Sequence, residues 1–140
     1  MKLNPDCIRD ILLYLEGNLR VENNSFSSIS LETLQNNLTQ YSKEDIFYSV
    51  YNLREIHYIE GTFLGADNIK MYVCLIDNIT YAGHQFLDTV KPETVWNKTK
   101  SIVKQAGIHT LEFIETIAHD IAVESAKEMI KASMNGGTTL

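Results

Sequence analysis

The apolar period of this 140-residue chain changes twice, which excludes an all-helical or an all-strand arrangement. Up to Leu53 the apolar residues recur three and four apart, as one face of a helix requires. From Tyr58 to Ile76 they alternate instead, in segments rich in β-branched and aromatic residues. Beyond Phe86 and Leu87 the helical spacing returns. Such a chain is expected to be α+β, with its strands confined to one stretch near the middle.

The punctuation is consistent with that order. Asn4 is a helix cap, Pro5 suits the first helical position, and Asp6 complements the positive end of the helix dipole. Ile8, Ile11, Leu12 and Leu15 then form an inner stripe, with Gly17 expected as the stop. Residues 18–25 are polar and read as a loop, and Phe26 to Ile29 as a short strand. Ser30 is expected to cap a short helix carrying Leu31, Leu34 and Leu38. A third helix opens at Ser42, with Asp45 three residues on in a capping-box-like arrangement and Ile46, Val50 and Leu53 inward. Tyr58–Leu64 and Ile69–Ile76 read as two strands joined through the turn cluster Gly65-Ala66-Asp67-Asn68. Met71, Val73 and Leu75 share one face of the second strand, and Lys70, Tyr72 and Cys74 the other.

Helix, short strand, two helices and a hairpin is the order of a winged helix-turn-helix domain. The expectation is therefore an α+β chain with a winged-helix domain over residues 1–90, a two-helix extension over 91–134 and a flexible tail at 135–140. Ile79, Thr80 and Gly83, followed by the buried candidates Phe86 and Leu87, resemble the Leu-Thr, two-residue, Gly element that follows the wing in many bacterial winged-helix regulators. The extension begins at Pro92, carries Val95, Trp96, Thr99, Ile102 and Val103, breaks at Gly107 and restarts at Thr110 for a helix reaching about Ser133.

The chain also resembles a small uncharacterised family from phages and prophages of Gram-positive bacteria, a domain of unknown function. The matching pieces are residues 1–12, Tyr41-Ser42-Lys43-Glu44-Asp45-Ile46, Gly83-His84-Gln85-Phe86-Leu87-Asp88 and Val95-Trp96-Asn97-Lys98-Thr99-Lys100. The resemblance implies a fold and a genomic setting, and no activity or catalytic residue comes with it.

Chemistry is harder to find. Cys7 and Cys74 match no metal spacing and read as small buried thiols. Glu112, Glu115 and His119, with His109 a turn earlier, come nearest to a metal set, but no second cluster completes it, and no metal or other cofactor is expected. No serine has a glycine elbow and no glycines form a phosphate loop, so an enzyme is not expected. No signal-peptide pattern and no apolar run of about 18 residues is present, which reads as a cytoplasmic protein without a membrane partner.

Charge carries the functional reading. The chain has a net charge of −6. Residues 1–90 hold six basic and twelve acidic side chains, residues 91–105 four against one, and residues 106–140 two against five. Phosphate contacts need Lys or Arg on the docking face, so a winged helix this acidic is an unusual DNA binder. The third helix shows Glu44, Tyr48, Tyr51, Asn52 and Glu55 outward. If double-stranded DNA is the partner, Lys43, Tyr48, Asn52 and Lys70 are the expected contacts, with Lys98 and Lys100 as flanking phosphate clamps. A protein partner is the alternative, because an acidic, tyrosine-rich face suits one equally well. A homodimer through the C-terminal helices is also expected, since Leu111, Ile114, Ala118, Ile121 and Ala122 form a stripe too apolar for water.

Overall fold

The computed structural model describes residues 1–65 and 73–136. Among these the chain is α+β, with six helices and two small antiparallel sheets. It divides into two compact units, residues 1–87 and 88–140.

The first unit begins with α1 (Pro5–Asn18), whose Asn4 side chain accepts a hydrogen bond from the Cys7 amide. Cys7, Ile8, Ile11, Leu12 and Leu15 are all buried. The helix runs through Gly17 and ends at Asn18, because the Leu19 amide still reaches the Leu15 carbonyl. The polar stretch read as a loop holds a miniature hairpin instead: β1 (Val21–Glu22) pairs with β2 (Ser25–Phe26). Asn23 and Asn24 form its turn, with φ of 51° and 61°. Two successive left-handed residues are what a tight two-residue hairpin turn requires, and Asn tolerates them better than most residues.

The strand expected from Phe26 is displaced. β3 is only Ile29–Ser30, while the Ser28 hydroxyl donates to the Asp77 carboxylate. Ser30 then caps α2 (Leu31–Asn37), its oxygen accepting from the Thr33 amide. Ser42 does the same for Asp45 at the start of α3 (Lys43–Glu55). Ile46, Val50 and Leu53 are fully buried, joined by Ser49, and α3 packs against both α1 and α2.

α3 ends with His57 in the left-handed region at φ 59°. The His57 amide reaches the Arg54 carbonyl and the Tyr58 amide reaches the Leu53 carbonyl, the paired bonds of a Schellman stop. The chain thereby turns straight into β4 (Ile59–Leu64), which pairs with β5 (Val73–Ile79). β3 pairs with the other side of β5, giving the order β3-β5-β4. Cys74, Ile76 and Ile79 face inward, and Val73 and Leu75 outward. A register irregularity lies between Glu60 and Gly61, where a Cβ on Gly61 would stand 1.9 Å from the Leu75 carbonyl oxygen. Only glycine fits there. The expected turn at residues 66–68 and the expected first half of the second strand, residues 69–72, lie outside the described residues.

α4 (Tyr81–Val90) starts against the end of α3. The Thr80 hydroxyl donates to the His57 carbonyl at 2.6 Å and accepts from the Gly83 amide at 3.1 Å. The Thr80 amide donates to the Tyr58 carbonyl at 3.0 Å. A Cβ on Gly83 would lie 2.3 Å from that same carbonyl oxygen. Phe86 and Leu87 are buried, and the Phe86 ring centroid lies 5.3 Å from that of Tyr58.

The second unit is a helical hairpin. α5 (Glu93–Ala106) stops at Gly107, whose φ of 71° is the left-handed cap conformation. Thr110 restarts the chain by accepting from the Phe113 amide, and α6 (Leu111–Gly136) follows. Val95, Thr99 and Val103 on α5, and Leu111, Ile114 and Ala118 on α6, are buried, and the two helices pack together. α6 continues past the expected end at Ser133, while residues 137–140 of the expected flexible tail lie outside the described residues.

Two predictions follow from close packing. Gly83→Ala should destabilise the first unit by about 2 kcal/mol or more in urea unfolding, because the methyl group meets backbone rather than a movable side chain. Gly17→Ala, with nothing within 4 Å, should instead stabilise it by about 0.5–1 kcal/mol. Equal effects would mean that the Thr80 junction is not tight. The thiols supply a second check. Burial pushes Cys7 up to about 11, opposed by its hydrogen bond with Ser49, and burial also pushes Cys74 up to about 11. Both should resist thiol reagents at pH 8 until the protein unfolds. A raised thiol stabilises the fold fully below its unfolded value near 9, and that stability is lost as pH rises from 9 towards 11. Tyr41 acts in the same direction, raised by burial and then by donating its hydroxyl hydrogen bond to Asp10.

Candidate nucleic-acid interface

Six residues were expected to touch DNA. Three of them, Lys43, Tyr48 and Asn52, stand on α3. Lys43, at the first helical position, is exposed, and its own carbonyl accepts from the Gln35 side chain, which ties the start of α3 to α2. Tyr48 is half-buried, leaving part of its ring on the surface. Asn52, one turn on, is also half-buried, and its amide donates to the Tyr48 carbonyl at 2.8 Å. That bond takes one of its two amide hydrogens and ties the side chain back along the helix, leaving the other hydrogen and the oxygen for a base edge. Lys70 lies outside the described residues.

Lys98 and Lys100 belong to α5, in the other unit. The Lys98 side chain borders an open groove of about 250 Å³, whose remaining lining includes Asp120, Glu124 and Glu128 of α6. A groove lined by three acidic residues is an unfavourable setting for a phosphate clamp. The Lys100 ammonium stands 5.9 Å from the centre of the Trp96 ring, a cation–π distance. The structure therefore groups Lys43, Tyr48 and Asn52 on one helix and places Lys98 and Lys100 on another.

Acidic groups share the α3 face. Glu44 and Glu55 are exposed on it, and Tyr51 is 39% exposed between them. A surface that alternates carboxylates with tyrosines repels a phosphate backbone and offers a partner protein apolar area with hydroxyls.

A second feature of this unit was not legible in the sequence. An open groove of about 550 Å³ runs along the end of α3 and the start of β4, lined by Arg54, Glu55, His57, Glu60 and Phe63 among others. The Arg54 guanidinium lies 5.0 Å over the Phe63 ring. The groove lies beside His57, where the chain takes a left-handed step, and the register irregularity at Gly61. Neither has a local sequence signature, since His57 stands where glycine is usual. On the outer face of the hairpin Leu64, Val73 and Leu75 are exposed, in cross-strand pairs Leu64–Val73 and Thr62–Leu75.

Among the described residues no three of His, Cys, Asp and Glu stand together as a set that would hold a metal ion, and no helix is long and apolar enough to cross a membrane. His119, the nearest to a ligand in the sequence pattern, faces Asp120 at 3.8 Å on the exposed surface of α6. The stripe expected to carry a homodimer is largely occupied within the chain: Leu111, Ile114 and Ala118 are buried in the α5–α6 pair, and Ile121 and Ala122 are half-buried.

Comparison with known proteins adds kinship without chemistry. An uncharacterized protein of Haemophilus influenzae (strain ATCC 51907 / DSM 11121 / KW20 / Rd) is 30% identical over 122 residues, covering 86% of this chain and 95% of the relative. No solved structure matches. The family model described as "Hypothetical protein (DUF2513)" matches residues 2–109, which include the first unit from residue 2 onward and all of α5, and the chain belongs to that family.

Proposed function

We propose that this protein is a winged-helix regulator or accessory protein of phage type that acts by binding and not by catalysis. The observation that carries this reading is the topology of the first unit. Helices α2 and α3, joined by a short turn, follow α1 and β3, and the β4–β5 hairpin then pairs with β3 in the order β3-β5-β4. In a winged helix-turn-helix domain the helix in the position of α3 enters the major groove and the hairpin is the wing. Lys43 is exposed at the N-terminal end of α3, the end that such helices present to base edges and phosphates. The phage setting rests on the resemblance in residues 1–12, 41–46, 83–88 and 95–100 alone.

A second reading has its own observation. The acidic balance of residues 1–90 and the exposed Glu44 and Glu55 on α3 favour a protein partner, on a winged-helix shape without a DNA role.

A salt titration separates the two. Binding of the full chain to a random-sequence duplex is followed by fluorescence anisotropy from low to physiological salt. DNA binding through phosphates should weaken steeply, with a log–log slope of about −0.9 per contact. Lys43→Ala should then lower the slope by about one, and Glu44→Gln should tighten binding. Absence of binding even at the lowest salt would sink the DNA reading and leave the protein-partner reading standing.

A further inference from the structure

We infer that the outer edge of β4 is a strand-addition site. It takes an extended segment of a partner protein as a fourth strand of the sheet, with a basic side chain against Glu60 and an apolar one against Leu64. The site rests on β4 and not on Lys43, Tyr48 or Asn52, so it stands whether or not α3 binds DNA.

The backbone dictates the kind of occupant. Among the described residues β4 pairs with β5 alone, in the order β3-β5-β4, so its other edge faces no strand. At about 3.3 Å per residue, Ile59–Leu64 presents an edge about 20 Å long. A second extended backbone matches the spacing of the N–H and C=O groups along such an edge. Edges of this kind are commonly blunted by lysine, proline or a bulge. β4 holds neither Lys nor Pro. The register irregularity leaves β4 unbroken, because the residue passed over is Asp77 of β5: Asn78 pairs with Glu60, and Ile76 with Gly61. The open groove of about 550 Å³ takes in Ile59, Glu60, Gly61 and Phe63. Consecutive residues of a strand belong to opposite faces, so the groove follows the edge, and Arg54, Glu55 and His57 complete its lining.

The side chains dictate the occupant's chemistry. Ile59 is buried and Phe63 is half-buried with the Arg54 guanidinium over its ring, so these positions face the helices. Glu60, Thr62 and Leu64 alternate with them on the outer face, and all three are exposed, Leu64 at 58%. Leu64 stands beside the exposed Val73 and Leu75 of β5. A strand added next to β4 sets one side chain opposite each outer position. The one opposite Leu64 extends the apolar patch, and the one opposite Glu60, four positions away on the same face, meets a carboxylate. Charge complementarity selects against a second copy of this chain. Because β4 holds no Lys or Arg, another β4 sets no cation opposite Glu60 in any register. A segment carrying Lys or Arg does so, and the twelve acidic against six basic side chains of residues 1–90 attract it. Main-chain hydrogen bonds then supply affinity and the alternate side chains specificity.

The probe is a fluorescein-labelled peptide, Thr-Ile-Thr-Thr-Val-Lys-Thr, titrated with the full chain and followed by fluorescence anisotropy. Antiparallel to β4, it sets its isoleucine against Leu64 and its lysine against Glu60. Binding should slow hydrogen exchange at the β4 amides. Glutamate in place of the peptide's lysine should weaken binding by about threefold to tenfold, and Glu60→Lys in the protein should reverse that preference. N-methylation of one alternate set of peptide amides should abolish binding and methylation of the other set should spare it, since only one set faces β4. If neither this peptide nor its reverse-order form binds at about 1 mM, the inference is overturned. Equal loss from both methylated sets would overturn it too, as would protection that falls away from β4, or a dimer of the chain that keeps the peptide off this edge.

Discussion

The junction around Thr80 is where the first unit is tied together. α3 must stop, β4 must start, β5 must end and α4 must begin within a few ångströms of one another. His57 supplies the left-handed stop, and its carbonyl accepts the Thr80 hydroxyl. The Tyr58 carbonyl accepts the Thr80 amide and lies against the Cα of Gly83, leaving no room for a side chain. The His57 and Tyr58 carbonyls and the Thr80 and Gly83 amides are all hydrogen-bonded here, as a helix end packed against a sheet requires. Moving any one of them would unseat Phe86 and Leu87 from the core beneath.

This junction also sets what the surface can do. By ending α3 where it does, it leaves Lys43 and Glu44 at the outward N-terminal end and Arg54 and Glu55 beside the β4 groove. The resulting face is mixed in charge, rich in tyrosine and poor in cations. A molecule that relied on phosphate attraction would have gathered its lysines there. Those at 91–104 stand in the second unit instead, Lys98 along a groove lined by acidic residues and Lys100 over a tryptophan ring. Binding by shape and hydrophobic contact, with electrostatics as a modest guide, fits such a face better than counterion release.

The second unit shows how one helix can carry two separate apolar faces. The first, through Leu111, Ile114 and Ala118, is used up by α5. The second begins where α5 runs out, and its Val123, Ile130 and Met134 are exposed among the described residues. Periodicity alone merges the two faces into one broad stripe, because residues 100° apart both look hydrophobic on a long helix. The burial of the first and the exposure of the second tell them apart.

Much of the architecture was determined by local sequence. The caps at Asn4, Ser30, Ser42, Thr80 and Thr110 and the inner stripe of α3 were legible because each depends on contacts within three or four residues. The switch of period at Tyr58 marked the β hairpin for the same reason. The hairpin at Asn23-Asn24 carried a signal too, two adjacent residues tolerant of positive φ, but its strands are two residues long and show no alternation to read. What the tertiary structure decided is of another kind. Leu75 lies fourteen residues from Gly61, and Tyr58 twenty-five from Gly83, so no local pattern reveals that a Cβ at either glycine would strike backbone. Asn52 reads as a free amide until the helix brings the Tyr48 carbonyl within reach. Lys98 reads as a phosphate clamp until α6 folds back and places it along a groove shared with Asp120, Glu124 and Glu128. A side chain's chemistry is local, but its neighbours are chosen by the packing of elements far apart in the chain, and in this protein that packing determines which charges are left to meet a partner.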